Sequence, residues 1–257
     1  MSTQDQSQRP PKRRRGLRAL IWTVGAVVVL VGLFFIADAI VRQVAEREVS
    51  QQIQKELPAD VTAKDLTVSI HGFSVIGQFI TGRFERVDLD ADDVRVQGSR
   101  LKARIAAYDV PVDFSDPVGR IDGKLVIGQA SVNKLVQLPD ATTVTLGDDT
   151  VGLKGTGQIL GIDVGYTASV TPTIQSGDTV VLTPHNVSVT AGGGALDVTR
   201  FAKDLLPQSI PICVAEYLPK GVDVTDLTVK KGTASVSVRA NDFVVDDASL
   251  QSKGSCG

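Results

Sequence analysis

The 257-residue chain is poor in the residues on which most catalytic and metal sites depend: two histidines, two cysteines, one methionine and one tryptophan, with aromatics at 5%. His71 and His185 are far apart, and neither lies at ligand spacing from Cys213 or Cys256, which argues against zinc. No G-x-S-x-G elbow, phosphate loop or H-E-x-x-H occurs; "AGGGA", Ala191 to Ala195, lacks the Lys and Ser/Thr of a phosphate loop, so its glycines are expected in a turn. Asp88, Asp90 and Asp92 have calcium-loop spacing. Asp93, however, stands where such a loop needs Gly, and Ser99 where it needs a bidentate Glu, so the acids are read as the wet face of a strand. No catalytic residue, metal or cofactor is assigned, and the chain is not expected to be an enzyme.

Basic charge is scarce outside one short segment. Residues 1 to 18 hold Arg9, Lys12, Arg13, Arg14, Arg15 and Arg18 against Asp5, a balance of +5; with −2 overall, the remainder carries −2 − 5 = −7. An acidic body argues against nucleic acid, which needs clustered Lys and Arg. The basic segment instead precedes "ALIWTVGAVVVLVGLFFIA", Ala19 to Ala37, which has no charge and as a helix of 1.5 Å rise spans roughly 28 Å, enough to cross a bilayer. Positive charge stays cytoplasmic, so the expected topology is a single-pass cell-membrane protein with its N-terminus inside and everything after Asp38 outside. "ADA", Ala37 to Ala39, also has the small-x-small form of a cleavage site, so a secreted form is the alternative; the length of the apolar run favours an uncleaved anchor. The boundaries expected are a basic tail over 1–16, an anchor over 17–38 and an exported domain over 39–257. In an oxidising compartment, Cys213 and Cys256 are expected to pair and tie down the C-terminal tail.

The whole chain is 42% apolar and 22% charged, a composition with a sizeable core. "DAIVRQVAEREVSQQIQKEL" repeats Ile40, Val41, Val44, Val49, Ile53 and Leu57 at helical period up to Pro58 and continues the anchor as an amphipathic helix. "DLTVSI" reads as a strand, and Val87, Leu89 and Ala91 alternate with Asp88, Asp90 and Asp92 as a half-buried one. The phase slips to Val94 and Val96, which predicts a bulge near Asp92 and Asp93. From Leu101 onward, strand patterns punctuated by Gly-Asp, Asp-Gly and Thr-Pro predict an antiparallel meander, with "ASVNKLVQL" and "VTRFAKDLL" as the other helix candidates. "LPADVTAKDLTV" (Leu57 to Val68) and "LPKGVDVTDLTV" (Leu218 to Val229) agree at seven positions; a structural repeat and chance agreement are both open.

One stretch fits none of these patterns. "HGFSVIGQFITGRFERVDLD", residues 71 to 90, gathers Phe73, Val75, Ile76, Phe79 and Ile80 between Gly72, Gly77 and Gly82, too glycine-rich for a good helix and too irregular for a plain strand. On its residues alone it is either core or the flexible rim of an apolar site. Gly72, Phe73, Gln78, Thr81, Gly82, Arg83 and Val87, in this order after an N-terminal helix, resemble the hallmark segment of the LmeA-like phospholipid-binding family of actinobacterial envelope proteins. Ser74 stands where that family often has Pro. The resemblance covers residues 38 to 257 and implies an α+β fold: a strongly curved antiparallel sheet wrapped on the helix, akin to the lipid-binding modules of bactericidal/permeability-increasing protein. It also implies a cavity for phospholipid acyl chains, with Phe73, Val75, Ile76, Phe79, Ile80 and Arg83 as the lipid-binding residues. The function expected is a membrane-anchored protein that holds or transfers phospholipid for the envelope. The alternative is a non-catalytic interaction domain that supports an envelope biosynthesis complex.

Overall fold

The computed structural model describes residues 14–56, 61–113, 116–135, 142–159, 162–191, 194–197 and 209–256, and their organisation is α+β. Helix α1 (Arg14–Glu56) runs unbroken through 43 residues, so the apolar stretch and the polar helix after it form one rod about 65 Å long. Its apolar part is exposed along its length from Trp22 to Ile36, as a segment suited to lipid is. The tail over 1–13 and the candidate helix "VTRFAKDLL" lie outside the described residues.

The alternating segments form two open antiparallel sheets. The first holds β1 (Val61–Lys64), β2 (Thr67–His71), β3 (Arg83–Val96), β4 (Ser99–Pro111), β5 (Val118–Gly128), β12 (Val222–Lys230) and β13 (Thr233–Phe243), in the order β1-β3-β4-β5-β13-β12 with β2 also on β3. The second holds β6 (Thr143–Leu146), β7 (Val151–Ile159), β8 (Ile162–Ser176), β9 (Thr179–Ala191), β10 (Gly194–Asp197) and β11 (Ile210–Cys213), in the order β10-β9-β8-β7-β6 with β11 on β9. Short helices α2 (Val75–Thr81), α3 (Gln129–Leu135) and α4 (Asp247–Gln251) complete the fold.

The phase slip in β3 is a bulge. Ala91 pairs with Ala103 and Val94 with Leu101, so Asp92 and Asp93 together face the single residue Lys102. The extra residue returns Val94 to the face that Ala91 occupies, which keeps the apolar side continuous. At the same point β3 exchanges one neighbour for another, β2 pairing as far as Asp90 and β1 from Asp93 onward. The two similar twelve-residue segments end in strands at opposite edges of this sheet. Each is irregular at the same place, with Asp65 at φ 59° between β1 and β2 and a register shift between Val224 and Asp226 in β12.

The sheets meet at the end where α3 lies. Val132, Val144, Leu146 and Val229 are buried there, with Ile127, Val151, Leu153 and Ala234 packed around them. Backbone N–H groups of Asp149 and Gly232 donate across the junction to Val229 O and Leu146 O, each at 3.0 Å. A second cluster, Ala107, Val110 and Val118 with Phe84, Val87 and Ile121, sits at the other end of the first sheet. Cys213 and Cys256 are disulfide-bonded with their Cα atoms 5.8 Å apart, and Gly254 N–H donates to Leu218 O, so the C-terminal segment is tied beside β11 and β12.

Candidate functional site

The glycine-rich stretch is a helix after all, because side chains supply what its composition lacks. Ser74 caps α2: its backbone is extended (φ −145°, ψ 124°), outside the range of proline, and its hydroxyl accepts from Gly77 N–H at 3.0 Å. Gly82, at φ 83°, closes the other end in the left-handed region with its N–H on Gln78 O and Phe79 O. Gln78 is buried and holds three segments together: Nε2 donates to His71 O (3.1 Å) and Ser74 O (3.2 Å), and Oε1 accepts from Glu85 N–H (2.6 Å). Gly72 must be glycine twice over, since its φ is 115° and a Cβ there would come 2.5 Å from Gln78 Nε2. These glycines fix geometry instead of loosening it.

The result is a short platform whose core-facing and outward residues separate cleanly. Val75 is buried and Ile76 half-buried, while Phe73, Phe79 and Ile80 are 77%, 63% and 78% exposed. Arg83 sits apart from them: its guanidinium donates to Asp109 Oδ2 at 2.7 Å and to Pro117 O at 3.0 Å, clamping the start of β3 to the turn after β4.

Helix α1 meets this platform through polar groups spaced four residues apart. Asp38 Oδ1 accepts from Ser74 Oγ (2.7 Å) and Ile76 N–H (2.9 Å); Arg42 Nη2 donates to Gly72 O (2.9 Å); Glu46 Oε1 accepts from Ile70 N–H (2.8 Å); and Ser50 Oγ donates to Leu66 O (2.9 Å). One helical face thereby occupies backbone groups on the free edge of β2, which would otherwise be open to another strand. Of the apolar positions that mark α1 as amphipathic, Ile40, Val41 and Val44 are exposed and Val49 and Ile53 half-buried, while the polar stripe supplies the hydrogen bonds to the edge of β2.

The first sheet has two unlike faces. On one, acids and bases alternate across strands: Arg86 and His71 pair with Asp88, Arg104 with Asp90, Lys102 with Asp92, Arg100 with Asp93, and Arg239 with Asp122. Asp88, Asp90 and Asp92 are therefore engaged with bases on a wet surface. The other face is apolar. Register aligns Leu89, Ile105, Gly123 and Val238 in one row, and Ala91, Ala103, Leu125 and Val236 in the next. Ile105 and Leu125 lie on central strands yet are 40% and 46% exposed, between the buried cluster at Val87, Ala107 and Ile121 and the one at Val229 and Leu146. A Cβ at Gly123 would come 2.9 Å from Val238 Cγ2, so the strand register leaves no room for a larger side chain at this point of the face, the trough between the two clusters. The sequence reading did not single out the trough. Alternation in "RLKARIAA" and "GRIDGKLVIG" was visible, but only strand register lines up Ile105, Gly123 and Leu125.

The ladder along α1 gives the trough a direction. Going up the helix from Asp38 to Ser50, the partners descend in sequence from Ser74 to Leu66, so the Val87 end lies by α2 and the Val94 end is remote. From Val87 to Val94 the strand covers about 20 Å at ~3.3 Å per residue, the length of Ala107 to Leu101 opposite, because the bulged residue adds none. That exceeds the depth of one leaflet, about 15 Å as half of a ~30 Å hydrocarbon core.

Compared with known proteins, residues 36–249 match a family model described as LmeA-like phospholipid-binding. No curated protein and no solved structure matches the chain.

Proposed function

Because the chain belongs to the LmeA-like phospholipid-binding family, we propose that it is a non-catalytic, membrane-anchored binder that takes phospholipid acyl chains onto the apolar face of its first sheet. The observation that carries this reading is the open face around Ile105 and Leu125, in the middle of a sheet whose other side is covered with ion pairs. Apolar surface left uncovered on central strands is costly in water, at roughly 25 cal/mol per Å2, and an acyl chain removes it without needing any polar partner.

Phe73, Ile76, Phe79 and Ile80 form the threshold of that face in this reading, Val75 secures them from within, and Arg83 holds the adjoining strand at the height of a headgroup. The domain is extracytoplasmic, since the arginines before Ala19 keep the N-terminus inside. The anchor is retained, since cleavage after Ala39 would remove the carboxylate that caps and fastens α2. Holding lipid, or passing it on for envelope assembly, is the role that follows.

The test is native mass spectrometry of the full chain after detergent ejection, with parent, Leu125→Asp and Phe79→Asp proteins compared. A charge in either place faces acyl chains and carries a desolvation cost of several kcal/mol. The parent should retain discrete phospholipid masses. Both variants should lose them while unfolding cooperatively near the parent temperature, because Phe79 is largely and Leu125 nearly half exposed. Unchanged lipid on a folded Leu125→Asp protein would remove the trough as the site, and an interaction domain would then be the better reading.

A further inference from the structure

We propose that α2 is a second membrane contact, seated side-on in the leaflet that holds the Ala37 end of the span. This rests on α1 crossing the bilayer and is independent of whether the trough carries lipid. Three observations bear on it.

The first is continuity. Phe35, in the last apolar turns of the span, meets the ring of Phe73 edge-on with centroids 5.3 Å apart, so Phe73 lies at a depth the span itself assigns to lipid. The second is fixed position. Asp38 stands one turn above Phe35 and binds both Ser74 Oγ and Ile76 N–H, so the first turn of α2 is held at the level where the apolar run ends. The third is composition. Gly72 to Gly82 is eleven residues without a charge, and its exposed side chains are Phe73, Phe79 and Ile80, with Thr81 beside them. Large apolar side chains grouped on a capped helix beside a span match the interfacial region, where an apolar face sinks a few ångströms below the headgroups. Exposure to water is the poorer environment for all three.

The consequence is two-point attachment. The span alone would leave the domain free to tilt against the membrane surface, whereas a span and a foot on one side fix which side of the domain faces the bilayer. The foot adjoins Phe84 and Val87, so the near end of the apolar face is held at the leaflet surface.

The chain's one tryptophan, Trp22, makes a clean optical test available. A Trp22→Phe, Phe79→Trp full-length protein is reconstituted in phosphatidylcholine vesicles with and without brominated acyl chains. A Trp22→Phe, Lys231→Trp protein is the comparison, since Lys231 is exposed in the turn between β12 and β13, at the end of the sheet remote from α2. A foot in the leaflet gives blue-shifted emission at position 79 and at least twofold quenching by brominated lipid, with none at position 231. The measurement is repeated with Leu125→Asp added. Quenching that persists when the trough is blocked reports the bilayer. Water-like, unquenched emission at position 79 would overturn the proposal. So would quenching that vanishes with Leu125→Asp, which would mean that the probe had sensed bound lipid on the sheet.

Discussion

Asp38, the first charged residue after the apolar run, takes the hydroxyl of Ser74 at 2.7 Å across 36 positions of sequence and is itself buried. A single carboxylate therefore joins the end of the membrane helix to the cap of α2. Four-residue spacing then carries the same helix face through Arg42, Glu46 and Ser50 along the edge of β2.

Replacing Asp38 by Ala should leave the Ser74 hydroxyl and the Ile76 N–H without their acceptor. Unmet buried groups cost about 1–3 kcal/mol, which at this size corresponds to a fall of several degrees in the unfolding midpoint. Asp38→Asn keeps one acceptor oxygen and should lose less. Thermal unfolding of the full chain in one detergent decides it, and equal midpoints for parent and Asp38→Ala would mean that the contact does not fasten α2.

Gly72→Ala combines a left-handed backbone with a Cβ placed 2.5 Å from the Gln78 amide. The backbone term alone is about 1–2 kcal/mol for a residue with a Cβ. Displacing Gln78 also frees Glu85 N–H. Hydrogen exchange should therefore quicken at Glu85 and along α2 before it changes in β12 and β13, and unaltered protection at Glu85 would contradict the role given to Gln78.

Asp93 supplies a pH dependence. Hydrogen bonds from Arg95 are the main influence lowering its carboxyl below the ordinary range, against a smaller opposing effect of desolvation and with help from the Arg100 charge. A group depressed in the folded state stabilises above its unfolded pKa of about 3.9 and loses that contribution as pH falls through the folded value. The parent midpoint should thus drop on acidification below about pH 4, and Asp93→Asn should begin lower at neutral pH and fall less steeply. Parallel pH profiles for the two proteins would rule this out.

Much of the fold was readable because it depends on period. The charge-free run before Asp38, the alternation around Val87 to Ala91 and the slip at Asp92 and Asp93 each translate directly into a helix, a strand and a bulge. The helix α2 was not readable, because Gly77 and its glycine neighbours lower helical propensity and the stabilising groups, Asp38 and Gln78, act from elsewhere in the chain or through a turn. The docking face of α1 was not readable for a related reason. Hydrophobic spacing picks out Ile40 and Val44, but the unpaired backbone of an edge strand attracts Asp38, Arg42, Glu46 and Ser50. The same holds for the glycines of the hallmark segment: composition suggests looseness, while Gly72 and Gly82 serve positive φ angles and close contact.

Between Leu33 and Glu56 the rod α1 contains neither glycine nor proline, so nothing in it invites a kink. Anchored in the bilayer, such a helix acts as a post and not as a tether. With the anchor retained as proposed, the sheet stands at a set height above the bilayer, and lipid held on it in the proposed way would leave either back into the membrane or at the far end of β3.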